Sequence, residues 1–141
     1  MHEDKYLALV LDDESHRRLL SLYHPIHNNT KGDHITIERT VTSRGLRLLG
    51  TRPKIIVRRH AWDERVQCVL VSVNDTFIRP DFRRATPFYF HVTLSVADGA
   101  RSKESNDLIE RLKLWNECMT PSEDVQLRLY GTVQLLDKGP D

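Results

Sequence analysis

The clearest alternation of apolar and polar residues runs over residues 88–96, with the sequence FYFHVTLSV. Side chains on a β-strand point alternately to the two faces of a sheet, so this pattern predicts a strand. The predicted apolar face consists of Phe88, Phe90, Val92, Leu94 and Val96. The opposite face carries Tyr89, His91, Thr93 and Ser95. An imidazole, a hydroxyl and an aromatic ring in one row indicate a candidate functional surface.

The same pattern occurs earlier, over residues 33–38, with the sequence DHITIE. Here His34, Thr36 and Glu38 share one face, and Ile35 and Ile37 share the other. A single His-x-Thr arises often by chance, but two copies flanked by aliphatic residues on strands are much rarer. We therefore interpret the two copies as parts of one site.

The remaining periodicities predict the other elements. Residues 6–11 have the pattern of a buried strand, and a helix follows from Asp12–Ser15 to Pro25. Residues 55–57 and 66–73 are strands of a hairpin joined by the polar residues 58–65. A helix is expected over residues 108–115, capped by Ser102 or Ser105, then a short helical turn over 120–123 and a strand over 125–133.

This order is mirrored around the two motif strands. It predicts an α+β fold in one domain, residues 1–141, with two lobes. Each lobe is expected to carry helices on the outer face of an antiparallel sheet. The polar faces of the two sheets would then meet in a central cleft.

Charge and cysteine content narrow the classes of function. The formal net charge of +1 disfavours a long nucleic acid held by charge alone, but it allows a small or locally bound anionic ligand. Cys68 and Cys118 form no disulfide framework, which favours reduced thiols and a cytoplasmic location. The N-terminus lacks the layout of a signal peptide and no apolar run approaches the length of a membrane span, so we predict no membrane partner.

Three histidines close together, His24, His27 and His34, raise the alternative of a metal site. Their spacing is irregular, Pro25 separates the first two, and no cysteine or carboxylate completes a convincing ligand set. We therefore predict neither a metal nor another cofactor.

Hydrolysis of a phosphodiester without a metal requires a base, an acid and donors for the non-bridging oxygens. Two histidines can supply the acid and the base, because an ordinary imidazole is partly protonated near neutral pH. Thr36 and Thr93 lie two residues beyond His34 and His91, about 7 Å along each strand. Hydroxyls and imidazoles at this spacing suit a single phosphate, and either histidine can be the base.

The tetrapeptides His34-Ile35-Thr36-Ile37 and His91-Val92-Thr93-Leu94 resemble the paired His-x-Thr-x signatures of the two-histidine (2H) phosphoesterase superfamily. The strand-helix-motif layout is similar as well. The resemblance implies a bilobal fold, metal-independent cleavage with His34 and His91 as acid and base, and Thr36 and Thr93 as phosphate ligands. Members include RNA 2′,3′-cyclic phosphodiesterases, tRNA-splicing phosphodiesterase domains and viral enzymes that cleave signalling oligonucleotides. The connector between the two motifs is compact here, unlike that of the larger bacterial members, which leaves the substrate class open.

The expected function is therefore hydrolysis of a 2′,3′-cyclic phosphate on an RNA end or nucleotide. The alternatives are a viral-type hydrolase of cyclic or 2′-5′-linked oligonucleotide messengers, and a nucleotide-binding module without turnover. No obligate protein partner is predicted. Candidate substrate-binding residues are Tyr89, which would stack on a base, Lys31 and Arg83, which would reach a phosphate, and Tyr130. Tyr6 is a weaker candidate, and each of these tyrosines has a buried core role as its alternative.

Overall fold

The computed structural model describes residues 3–76, 89–112 and 127–138. In chain order the strands and helices of these residues are β1 (Lys5–Leu11), α1 (Asp13–Leu22), β2 (Asn29–Thr30), β3 (His34–Glu38), α2 (Ser43–Leu46), β4 (Ile55–Trp62), β5 (Val66–Val73), β6 (His91–Val96), α3 (Glu104–Leu112), β7 (Arg128–Leu129) and β8 (Gly131–Asp137). None of the helices in this part of the chain is long and apolar enough to cross a membrane.

The strands form two antiparallel sheets. One sheet has three strands in the order β3-β1-β8, and the other has five in the order β2-β6-β5-β4-β7. Every pairing between these strands is antiparallel. The predicted α+β class with antiparallel sheets is therefore confirmed.

The apolar faces of both sheets pack into one core, so the prediction that the polar faces of the two sheets meet in a cleft is wrong. Leu7 and Leu9 of β1 and Ile35 of β3 belong to the same buried cluster as Val69 of β5 and Val92 of β6. The first helix, α1, contributes Leu19 to this cluster. Helix α1 begins with the acidic residues Asp13 and Glu14, which suit the positive end of a helix dipole, and ends before Pro25, as predicted.

Helix α3 packs on the other face of the five-stranded sheet. Its residues Leu108 and Ile109 form a second buried cluster with Cys68, Leu70 and Tyr89. Helix α3 therefore covers the sheet face that carries Tyr89, although sequence reasoning expected the helices on the faces away from the motifs. The physical reason is that β5 is buried on both faces and offers the apolar stripe of α3 a second surface to cover.

The hairpin of β4 and β5 has a shorter turn than predicted. Strand β4 continues to Trp62, so only residues 63–65 connect the two strands. The side chain of Asp63 closes this turn by accepting hydrogen bonds from the backbone N–H groups of Arg65 and Val66, both at 2.8 Å. Most of the polar segment 58–65 is therefore strand.

Two other strand predictions need correction. The predicted strand over 125–133 is divided at Tyr130 into β7 and β8, and β8 continues to Asp137. In β6, a register shift against β5 makes Leu94 an extra residue, since Ser95 pairs with Gln67 and Thr93 with Cys68. Val96 consequently joins the α3 cluster rather than the core shared by the sheets.

The short helical turn over 120–123 and the end of the predicted helix at Trp115 lie outside the described residues.

Candidate active site

The first motif strand is positioned by a sharp change of pairing at Gly32. Before this residue the chain pairs with β6, and Lys31 and Gly32 donate backbone hydrogen bonds of 2.7 and 2.8 Å to the carbonyls of Leu94 and Thr93. After it, β3 pairs with β1. The φ angle of Gly32 is +90°, which is accessible to glycine without strain. One continuous stretch of chain therefore serves both sheets.

As a result, the two motif strands are neighbours. Cα atoms of β3 and β6 come within 8 Å of each other although the two strands form no ladder. The hydrogen bonds of Lys31 and Gly32 to β6 set the beginning of β3 beside β6. On both strands the residues next to the histidines, Ile35 and Val92, point into the shared core. Both imidazoles therefore leave their strands on the side away from that core.

The ring of His34 is held at both nitrogens. Nδ1 lies 2.9 Å from a carboxylate oxygen of Asp33, and Nε2 lies 3.2 Å from the hydroxyl of Tyr6. Because a carboxylate only accepts hydrogen bonds, Nδ1 carries a proton. The hydrogen bond from His34 lowers the pKa of Asp33, against the opposing effect of partial burial. His34 itself is about one-third exposed, with a side-chain exposure of 30%.

The ring of His91 is held differently. Nδ1 lies 2.7 Å from the backbone carbonyl oxygen of Tyr89, which accepts its proton. In the neutral ring, Nε2 is then the unprotonated nitrogen and the one able to take up a proton. The His91 side chain is half-buried. In both histidines Nδ1 carries a proton, and its partner is a carboxylate for His34 and a backbone carbonyl for His91.

The two threonines have different surroundings. Thr93 donates a hydrogen bond of 3.2 Å to the carbonyl of Ser102, and its oxygen lies 2.8 Å from the hydroxyl of Ser105 on α3. Thr36 lies on β3 opposite Ala8 of β1, and no hydrogen bond of its hydroxyl falls within the described residues. A hydroxyl proton already given to Ser102 is not available to a phosphate, so Thr93 must change partner to act as a ligand.

Tyr89 does not occupy the position that sequence reasoning predicted for it. The ring is only 2% exposed, beneath α3, and burial together with a hydrogen bond to Glu110 raises its pKa to about 12. A ring with so little exposed surface cannot stack on a base. Its contribution to the site is its backbone carbonyl, which holds His91.

The other predicted substrate contacts are spread over the molecule. Lys31 lies at the junction of β2 and β3, three residues before His34, where its carbonyl accepts a hydrogen bond from His16. Tyr130 lies between β7 and β8, 45% exposed, with the Arg128 guanidinium 4.9 Å from its ring centre. The backbone of Tyr130 is bound to the start of α1. Arg83 lies outside the described residues.

The alternative of a histidine metal site receives no geometric support. His27 uses its ring to bind the carbonyl of Asp63 at 3.0 Å, and its backbone N–H donates to Ser95. His34 is committed to Asp33 and Tyr6, as described above. Within residues 3–76, 89–112 and 127–138, no group of three or more histidine, cysteine or acidic side chains is arranged to hold a metal ion.

The sequence pattern indicates Tyr6 only weakly as a site residue and does not indicate Asp33 or His16. In the structure Asp33 and Tyr6 contact the ring of His34, and His16 lies near Asp33. Two signals were present: Asp33 precedes the motif directly, and the alternation of β1 places Tyr6 on its non-core side. What the sequence lacked was the pairing of β1 with β3, which brings Tyr6 next to His34.

Comparison of the chain with models of known protein families, with curated proteins and with solved structures gave no match. The assignment of function therefore depends on the motifs and on the geometry described above.

Proposed function

We propose that this chain is a metal-independent phosphodiesterase that opens a 2′,3′-cyclic phosphate on an RNA end or nucleotide. The observation that carries the proposal is the pair of His-x-Thr strands, β3 and β6, lying side by side with both imidazoles directed away from the shared core. Two titratable rings on adjacent strands are what acid–base cleavage of one phosphodiester requires. The resemblance to the 2H phosphoesterase superfamily supports the same chemistry. In this proposal the two sheets are the two lobes, and the substrate lies where β3 and β6 meet, on the side away from the shared core.

The hydrogen bonds favour one assignment of roles. His91 donates from Nδ1 to a carbonyl, so its neutral ring presents Nε2 as a proton acceptor, and we assign it as the base. Nδ1 of His34 is held by the Asp33 carboxylate rather than by a carbonyl, and we assign His34 as the acid. Each group would contribute about 10²- to 10⁴-fold to the rate.

The proton balance of the reaction is simple. Water attacks phosphorus and loses a proton to Nε2 of His91. The bond from phosphorus to one ribose oxygen breaks, and that oxygen takes the proton from Nε2 of His34, which exchanges its hydrogen bond with Tyr6 for one with the leaving oxygen. The product is a phosphomonoester, and exchange of protons with solvent restores both rings. The hydroxyls of Thr36 and Thr93 would bind the non-bridging oxygens, Thr93 after releasing Ser102.

The test is a turnover assay on the full chain with excess EDTA present throughout. The substrates are a 2′,3′-cyclic mononucleotide, an RNA oligonucleotide ending in a 2′,3′-cyclic phosphate, a cyclic dinucleotide and a 2′-5′-linked oligonucleotide. We expect opening of the 2′,3′-cyclic phosphates with a bell-shaped dependence of rate on pH.

Three results would contradict the proposal. Cleavage confined to the cyclic dinucleotide or the 2′-5′-linked substrate would favour a hydrolase of oligonucleotide messengers. Binding without turnover would indicate a nucleotide-binding module. Activity that disappears in EDTA would indicate a metal-dependent enzyme.

A further inference from the structure

The environment of His34 contains more than the motif. Its two ring nitrogens contact two side chains from different parts of the chain, Asp33 at 2.9 Å and Tyr6 at 3.2 Å. These contacts are on opposite edges of the imidazole, so together they restrict both its rotation and its tautomer. The rings of Tyr6 and His34 are also in contact, with centroids 5.7 Å apart at an angle of 57°.

We propose that Asp33 and Tyr6 are positioning residues that hold His34 in the tautomer and orientation required for proton transfer. This inference rests on the proposed function, because it concerns the histidine that we assign as the acid. Neither residue belongs to the His-x-Thr-x motif, and neither needs to touch the substrate.

The chemistry of the two partners suits this role. The carboxylate of Asp33 accepts only, so it keeps the proton on Nδ1 and leaves Nε2 for the reaction. The phenol of Tyr6 can both donate and accept a hydrogen bond. It donates to Nε2 when His34 is neutral and accepts from Nε2 when His34 is protonated, so it holds the ring in both resting states. This bond opens while Nε2 gives its proton to the leaving oxygen, and Asp33 alone then holds the ring.

Tyr6 is itself well anchored. Its side chain is buried, with an exposure of 9%, and the Arg39 guanidinium lies 5.7 Å from its ring centre. Tyr6 lies on β1, the middle strand of the three-stranded sheet, which is hydrogen-bonded to β3 on one side and to β8 on the other. A side chain fixed in this way loses little further freedom when it holds a second ring.

The experiment combines kinetics with the nitrogen resonances of the histidine rings, measured on the full chain. The variants are Asp33→Ala, Asp33→Asn and Tyr6→Phe, with Asp107→Asn and Tyr23→Phe as matched controls. Asp107 is an exposed residue of α3, and the ring of Tyr23 packs against His60. Asp33 is 65% exposed and Tyr6→Phe retains the ring, so all three test variants should fold.

We expect Asp33→Ala and Tyr6→Phe each to lower kcat about 10-fold or more, with a smaller change in KM. In Asp33→Ala the spectrum should show that His34 no longer carries its proton on Nδ1 alone. Asp33→Asn keeps an acceptor and should retain part of the Nδ1-protonated form. The controls should match the wild type in both measurements.

The two measurements separate failure of the inference from failure of the proposed function. An unchanged His34 tautomer in Asp33→Ala, or unchanged kcat in both Asp33→Ala and Tyr6→Phe of an active enzyme, would overturn the inference. A wild type without turnover would overturn the proposed function, and the spectra alone would then decide whether Asp33 and Tyr6 hold the ring.

Discussion

Thr36 and Thr93 follow their histidines at the same spacing, yet their hydroxyls differ in what they do for the fold. Thr93 joins β6 to α3 through Ser102 and Ser105, whereas the hydroxyl of Thr36 forms no hydrogen bond within the described residues. A threonine whose hydroxyl stabilises the fold should respond differently to substitution from one whose hydroxyl forms no such bond in the described part of the chain. The valine variant, which keeps the shape and removes the hydroxyl, distinguishes them.

We expect Thr93→Val to lower the free energy of unfolding by about 1–2 kcal/mol, because two hydrogen bonds are lost. Thr36→Val should change it by no more than about 0.5 kcal/mol. Both variants should lower kcat/KM, Thr36→Val by about 10-fold or more through loss of a phosphate ligand. Urea unfolding and turnover on the same preparations check this. Equal destabilisation by both variants, or normal turnover in Thr36→Val, would contradict it.

His60 gives a prediction about pH. Its ring lies between Tyr23 and Trp62, with centroid distances of 4.8 and 4.7 Å, and burial lowers its pKa. The folded state therefore takes up the proton less readily than the unfolded state, whose histidine titrates near pH 6.5. Stability from this residue is complete above about pH 6.5 and is lost as the pH falls below it.

The measurement is urea unfolding at pH 8 and at pH 5.5. The wild type should be less stable at pH 5.5, and His60→Phe, which keeps an aromatic ring but cannot titrate, should show a smaller difference between the two pH values. Tyr23→Phe serves as the control and should behave as the wild type does. An equal difference in His60→Phe would show that this histidine does not contribute.

At the level of elements, Gly32 determines where the first motif strand lies. A side chain at this residue would combine a φ of +90° with a Cβ only 3.0 Å from Leu20 Cδ2. Gly99 has a similar φ of +83° but no neighbouring atom within 4 Å, so it offers a matched control. An added side chain would be strained at both positions, but of the two it would be crowded only at Gly32.

We expect Gly99→Ala to lower the free energy of unfolding by about 1–2 kcal/mol, from the backbone conformation alone. We expect Gly32→Ala to lower it by more, because the added Cβ is also crowded. Gly32→Ala should also lower turnover, since it disturbs the junction that sets β3 beside β6, while Gly99→Ala should not. Thermal unfolding and the cyclic nucleotide assay provide the comparison. Equal effects of the two substitutions on both measurements would argue against this role of the junction.

Alternation along the chain was sufficient to predict β1, β3, β5 and β6, because each has apolar side chains in the shared core. It did not predict β2, whose two residues are both exposed. It was insufficient wherever pairing interrupts the alternation. Ser95 was predicted to share a face with His91, but the extra residue Leu94 turns it to Gln67, whose side-chain oxygen accepts its hydrogen bond at 2.6 Å. A bulge depends on the partner strand, and the partner is not encoded in the local pattern.

For the whole molecule, the two His-x-Thr motifs and their strands were accessible from the sequence, but the neighbouring positions of these strands were not. Helix α3 was placed on the wrong face of its sheet because β5 reads as one apolar run, which does not reveal that both of its faces are covered. The same information about long-range pairing was needed to find Tyr6 beside His34. The bilobal arrangement stays a prediction, whereas a cleft between the polar faces of the two sheets is contradicted by the core that they share.

The central claim is that His34 and His91 act on one phosphate. The direct measurement is turnover of a 2′,3′-cyclic nucleotide in excess EDTA by the wild type, His34→Ala and His91→Ala, with His24→Ala as a control from an exposed position. We predict that each of the two motif variants folds and loses at least about 10²-fold in kcat, while His24→Ala retains the wild-type rate. Wild-type rates in either motif variant would contradict the account.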